Sequence, residues 1–292
     1  MKFFTLLFTI FFIMLSPTSL AKPVNTVASF SVLSDIVRQV GGKHVKVTEL
    51  GNPNGDLHAF EPTPKDSHAL AKADVVFVSG FGLEGWIDRL VSASGYRGKV
   101  ITTSIGINPR KIEKNGTIVI DPHAWNSARN GAVYARNVMN ALIAADPQDV
   151  AYFRQHGEDY IQQLEKLDAW AKAEFASIPP EKRKVLANHD AFGYFGAEYG
   201  VQFLSPIGFS TETEPNASDV AKLIDQIQQE HIVRYFIENQ SNPQLVKQIA
   251  KACGAQPGGK LYSEALSDAG GPATTYTEAF RHNVVALTSS IK

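Results

Sequence analysis

Midway along the chain lies one uninterrupted helical segment, and it dictates how the rest can be arranged. Asp146-Pro147 supplies an N-cap and a proline at the first helical position. Val150, Phe153, Tyr160, Ile161, Leu164, Leu167, Ala171 and Phe175 then recur at helical spacing, and Pro179-Pro180 ends the run. A helix of ~30 residues is ~45 Å long. It reaches along two lobes, and it lacks the Gly, Ser or Pro content of a flexible linker. The segment predicts two lobes coupled stiffly, with limited hinge closure between them.

On either side, short β-branched runs alternate with helical patterns, which predicts α/β architecture with mostly parallel sheets. In the first half the predicted strands are 26–30, 45–50, 75–79, 100–102 and 117–120, with helices at 31–40, 65–71, 83–92 and 127–144. In the second half strands fall at 185–187, 202–204, 235–237 and 260–262, with helices at 191–199, 217–230, 243–252 and 274–289. The expected organisation is a signal peptide over 1–21, a first α/β lobe over 22–145, the joining helix over 146–178 and a second α/β lobe over 179–292. Ligands of open parallel sheets bind beyond the carboxyl ends of the strands, which places a site in the cleft between the lobes.

The first residues set the compartment. Lys2 is followed by an apolar run from Phe3 to Leu15 and by the small-x-small site Ser19-Leu20-Ala21, the pattern of a cleavable secretory signal. The run is shorter than the ~20 residues that span a bilayer. Cys253 is the only cysteine, so an internal disulfide and cysteine-based zinc sites are excluded. With no cysteine after the signal, lipid attachment is not expected, and a periplasmic location is. With 28 Lys and Arg against 29 Asp and Glu, no nucleic-acid partner is implied. The expected state is a monomer.

Three of the eight histidines, His58, His123 and His189, lie in loops where a strand gives way to a helix. A fourth polar loop, Leu266 to Pro272, carries Asp268 before the last helix. Neutral imidazoles and one carboxylate suit a borderline-soft divalent cation in a closed tetrahedral shell. Any one of these histidines alone is better explained as a surface or hydrogen-bonding residue, and spacing by itself leaves both readings open. His44, His68, His156, His231 and His282 read as surface residues. No HExxH or other short-spaced ligand motif is present.

The loops nevertheless resemble a known family. Asp56-Leu-His58-Ala-Phe-Glu-Pro-Thr-Pro64 is similar to the D-P-H-x-x-x-P-T-P signature of the cluster A-I metal-binding proteins of ABC importers. Asp121-Pro-His123-Ala-Trp125 matches their D-P-H-x-W, and His189-Asp-Ala-Phe-Gly-Tyr194 their H-x-A-F-x-Y. Ser267-Asp268-Ala-Gly-Gly-Pro272 resembles their S-D-x-G-x-P loop. The likeness spans the mature chain. It implies metal ligands at His58, His123, His189 and Asp268, no enzymatic activity, and as partners a permease with its ATPase. A periplasmic metallochaperone is a further candidate partner. Leu57 replaces the family's proline, which is expected to loosen that turn. Residues Asn108–Gly116 form a short basic stretch without the His-rich insert of many ZnuA-type zinc members, so the chain looks more like the AztC type.

Manganese and iron members usually carry glutamate where His189 stands. Three nitrogens and one oxygen favour Zn(II) over Mn(II), so Zn(II) is the expected cargo and Mn(II) or iron the alternative. Glu61, Asp121 and Asp190 are candidates to orient the imidazoles. Trp125, Phe60, Phe192 and Tyr194 are candidate walls, with core packing the plainer role for Phe192. The polar loop 209–215 is placed either to cover the cleft or to meet the transporter. The rival class is a secreted zinc hydrolase, which needs an open coordination position and a general base; an adhesin is a second rival.

Overall fold

A computed structural model describes residues 22–51, 55–114, 117–211 and 215–292. The signal peptide expected over 1–21 lies outside the described residues, as does part of the 209–215 loop. Among the described residues, no helix is long and apolar enough to cross a membrane.

Two four-stranded parallel sheets carry the fold. The first has β1 (Val24–Ala28), β2 (Val45–Glu49), β3 (Val75–Val78) and β4 (Lys99–Thr102) in the order β2-β1-β3-β4. The second has β7 (Lys184–Leu186), β8 (Gln202–Leu204), β9 (Arg234–Glu238) and β10 (Gln256–Leu261) in the order β10-β9-β7-β8. The inner strand β3 reads Val-Val-Phe-Val and is buried throughout, as expected of a strand covered on both faces.

The run Thr117–Ile120 is a strand with the expected bounds, but it is not part of the first sheet. As β6 it pairs antiparallel with β5 (Lys111–Lys114) in a separate ribbon, and Ile118 is 68% exposed. The basic stretch 108–116, read as loop, supplies that partner strand. Strand ends elsewhere shift by a residue or two, except that β10 begins at Gln256, four positions ahead of the expected Lys260. Glycines 258 and 259 hide it from a propensity reading.

Helices α1 (Ser31–Gly41), α2 (Pro64–Ala71), α3 (Ile87–Ser94) and α4 (Ala128–Ala145) flank the first sheet, and α6 (Gly193–Tyr199), α7 (Ala217–Gln229), α8 (Gln244–Cys253) and α9 (Tyr276–Ile291) the second. The joining helix α5 runs from Val150 to Ala176 and buries Phe153, Tyr160, Ile161, Leu164, Leu167, Ala171 and Phe175. It packs on α1 and α4 of the first lobe and on α6 and α9 of the second. The buried cluster containing it continues from Val24 to Ile291 without a break between the lobes. Each buried leucine or phenylalanine there contributes about 1.5–3 kcal/mol. His44 and His156 are less exposed than expected. His44 packs tilted against Tyr152 and pairs with Asp149, and His156 stacks on the same tyrosine.

Candidate metal centre

Three site residues sit at one offset from the end of a strand. His123 follows Ile120 of β6 by three positions (120 to 123), His189 follows Leu186 of β7 by three (186 to 189), and Glu264 follows Leu261 of β10 by three (261 to 264). Side chains there project beyond the carboxyl ends of the strands. His58 enters from the longer loop between β2 and α2. Asp66 pins both ends of that loop: its Oδ2 accepts from Thr63 N at 2.8 Å, and its Oδ1 from Gly51 N at 3.4 Å.

Each histidine has its own backbone N–H held by a carboxylate. Asp56 Oδ1 accepts from His58 N at 2.9 Å, Asp121 Oδ1 from His123 N at 3.0 Å, and Glu238 Oε1 from His189 N at 3.1 Å. The first two are Asx turns, in which a side chain two residues back closes the backbone. The turn expected to loosen at Leu57 is thereby hydrogen-bonded in the same way as its Asp-Pro-His counterpart.

The ligand-type atoms of His58, His123, His189 and Glu264 lie within 4.8 Å of one another. Glu264 Oε1 is 3.0 Å from His58 Nε2, 3.1 Å from His123 Nε2 and 3.1 Å from His189 Nε2, while His58 Nε2 and His123 Nε2 are 3.1 Å apart. Zinc bonds of 2.0–2.1 Å set tetrahedral edges of ~3.3 Å, close to these separations. Asp268 does not join the cluster. It is exposed, four residues further on, in a turn closed by Gly271 N on its carbonyl at 2.9 Å. Glu264 occupies the place expected for Asp268, because β10 ends at Leu261 and only residues just past that end reach the cleft.

The imidazoles are oriented from behind. His123 Nδ1 lies 2.9 Å from Asp121 Oδ1, whose other oxygen accepts from Arg110 Nη1 at 3.0 Å. Gly193 has no room for a side chain, since a Cβ would run into Arg110 and Asp121. His189 Nδ1 is 2.7 Å from Glu238 Oε2, a charge contact without hydrogen-bond alignment. Of the expected orienting groups, Asp121 therefore acts on a ring. Glu61 is exposed, and His189 faces Glu238 rather than Asp190. Glu238, at the end of β9, went unrecognised in the sequence because its partner is 49 residues away.

Trp125 Nε1 donates to Ser263 O at 2.7 Å, and Tyr194 Oη donates to Asp121 O at 3.1 Å. Both join the two halves beside the site. Phe60 packs edge-on against Trp86, and Phe192 stacks on Phe203 in the core. Phe209 lies 6.3 Å from the His123 ring, and Thr211 Oγ1 donates to Asp56 Oδ2 at 2.5 Å, tying the second-lobe loop to the His58 turn. His123, His189 and Glu264 are fully enclosed and His58 only partly so, with a cavity of about 590 Å³ beside His58, Glu61 and Arg89.

Burial opposes charge on Glu264, His123 and His189, and their contacts with one another and with the carboxylates behind them oppose that penalty. Burial would raise the Glu264 carboxyl, but the His189 charge and the hydrogen bonds from His123, His189 and His58 keep it well below the usual range. Burial would lower both imidazoles, but Asp121 and Glu264 raise His123, and Glu238 and Glu264 raise His189 well above its ordinary value.

Comparison with known proteins places the chain among metal-binding proteins. The manganese-binding lipoprotein MntA of Bacillus subtilis is 32% identical over 278 residues, covering 93% of this chain and 90% of its own. The iron-binding protein YfeA of Yersinia pestis is 30% identical over 264 residues, covering 89% and 84%. Among solved structures, the periplasmic zinc-binding protein TroA from Treponema pallidum matches with a TM-score of 0.86 at 29% identity, covering 92% of this chain and 99% of its own. A Mn-bound periplasmic metal-binding protein from Candidatus Liberibacter asiaticus matches with a TM-score of 0.82 at 27% identity, covering 92% and 100%.

The fold, the donor cluster and these likenesses together define a metal-binding protein of the class that serves ABC importers as substrate carrier. Residues 26–290 match the family described as zinc-uptake complex component A, periplasmic (ZnuA), and the chain belongs to that family.

Proposed function

We propose that the protein captures Zn(II) in the periplasm through His58, His123, His189 and Glu264 and hands it to the permease of an ABC importer driven by its ATPase. The reading rests on one observation: three imidazole nitrogens and a single carboxylate oxygen, supplied by both lobes, lie within 4.8 Å of one another, with the oxygen 3.0 to 3.1 Å from each nitrogen, close to a zinc tetrahedron's edge of ~3.3 Å. We read 22–145 and 179–292 as the lobes, 146–178 as the strut between them, and 1–21 as a cleaved signal that releases the mature chain. A lipid-anchored form is the alternative suggested by relatives named as lipoproteins. A second reading, Mn(II) or iron as cargo, is favoured by the names of MntA and YfeA. Manganese is the weakest binder of the divalent series and prefers oxygen, so the nitrogen-rich set counts against it.

Competition titration of metal-stripped protein decides between them. Zn(II) is expected to displace Mn(II) completely, and His189→Glu to narrow the preference by at least about tenfold. Equal affinities in the native protein, or an unchanged ratio in the variant, would reject the zinc assignment.

Capture should also depend on pH with a definite sign. Metal ligands must shed their protons, and His123 and His189 hold theirs above the usual value of about 6.5. Zinc affinity is therefore expected to rise through neutral pH, by about tenfold per pH unit for each imidazole still protonated. In the metal-free protein the imidazolium contribution to stability is full below about pH 6.5 and fades as pH rises through the raised values. That of Glu264 is lost as pH falls through its lowered value. The thermal stabilisation conferred by zinc should widen between about pH 6 and 8. A pH-independent zinc affinity would contradict the arrangement.

A further inference from the structure

Glu264 offers two oxygens, and the structure treats them differently. Oε1 faces all three imidazoles, at 3.0 to 3.1 Å. Oε2 instead accepts a hydrogen bond from Gln240 Nε2 at 3.1 Å. The same nitrogen donates to Ser263 Oγ at 2.8 Å, and Ser263 Oγ donates to Glu238 Oε2 at 2.6 Å. Both neighbours of the Gln240 nitrogen are thus acceptors: a carboxylate, and a hydroxyl whose proton is already committed. Turning the amide over would set its oxygen against that carboxylate, so the network itself fixes which end faces Glu264.

We propose that Gln240 is a specificity-determining residue, which keeps Glu264 a one-oxygen ligand and so holds the site at four donors. The proposal rests on the zinc reading above. A carboxylate free to bring in its second oxygen gives a fifth donor and a more oxygen-rich shell, the direction that favours Mn(II) over Zn(II). Gln240 denies that second oxygen by engaging it. The chain from Gln240 through Ser263 to Glu238 ends on His189, whose backbone N–H and ring both meet Glu238. One network therefore sets the carboxylate mode and the placement of the third imidazole together. Gln240 also lines a cavity of about 300 Å³ shared with Asp56, Thr211 and Asn242, so its side chain stands between that cavity and the enclosed carboxylate.

The test uses the full chain, stripped of metal, carrying Gln240→Met, which preserves length and removes the donor. Zn(II) and Mn(II) affinities are measured by competition, and the visible spectrum is recorded with Co(II), which absorbs strongly in a tetrahedral shell and weakly with five donors. The native protein is expected to give the strong spectrum. Gln240→Met should weaken it and reduce the Zn(II)/Mn(II) preference by roughly tenfold or more, the scale of an outer-partner loss. Ser263→Ala, which frees the amide without deleting it, should move both readouts the same way by a smaller factor, and it carries the test if Gln240→Met fails to fold. A native tetrahedral spectrum with both readouts unchanged in the variants overturns the role of Gln240 and leaves the zinc reading standing. A native protein that prefers Mn(II) and gives the weak spectrum overturns both.

Discussion

Replacing Glu264 by alanine is expected to lower zinc affinity by more than about a hundredfold, above the 10–100-fold typical of losing a group behind the ligands. Asp268→Ala should change it by less than about threefold, well under that range. Removing Glu264 takes away the carboxylate oxygen that touches all three imidazoles, leaving a cation with neutral donors alone in an enclosed pocket. Asp268 sits on the exposed turn beyond, outside the cluster of donor atoms. Circular dichroism establishes that both variants fold, and isothermal titration on metal-stripped protein reads the affinities. A large loss in Asp268→Ala with Glu264→Ala unaffected would reverse the ligand assignment.

Trp125→Ala should cost about 3–5 kcal/mol of stability, the usual range for deleting a buried large aromatic. Trp125 is 1% exposed, and its ring centroid lies 4.7 Å from that of Phe30. Its Nε1–H donates across the lobes to Ser263 O, and its own carbonyl accepts from Tyr276 Oη at 2.5 Å. Trp125→Phe retains most of the packing but leaves the Ser263 carbonyl without its donor, at a cost of about 1–3 kcal/mol. Since Ser263 precedes Glu264, both variants should also weaken zinc capture. Chemical denaturation of the metal-free proteins measures the stability. A loss below about 1 kcal/mol for Trp125→Ala would show that the interlobe contact is dispensable.

The alternation of apolar runs and helical patterns was enough to place both parallel sheets and α5, because buried parallel strands are short, apolar and bounded by turn residues. It found the strand Thr117–Ile120 but not its antiparallel partner in an exposed ribbon, because Lys-Ile-Glu-Lys looks like loop. His58, His123 and His189 were legible because each stands in a distinctive loop at a strand end. Glu264 was not, because Ser263-Glu264 and Ser267-Asp268 both offer a serine followed by an acid. The offset of three residues from the strand end, shared with His123 and His189, would have chosen between them. Asp121 could be suspected from its nearness to His123, whereas Glu238 and Gln240 reach the site through tertiary pairing that no local pattern carries.

The joining helix α5 is clasped along its whole length by helices of both lobes instead of being attached only at its ends. A transporter that must tell a loaded carrier from an empty one therefore has little to gain by sensing the angle between halves of the molecule. The rim is fastened more lightly: among the described residues, the Asp56 turn of one lobe and Thr211 of the other are tied there by a single side-chain hydrogen bond.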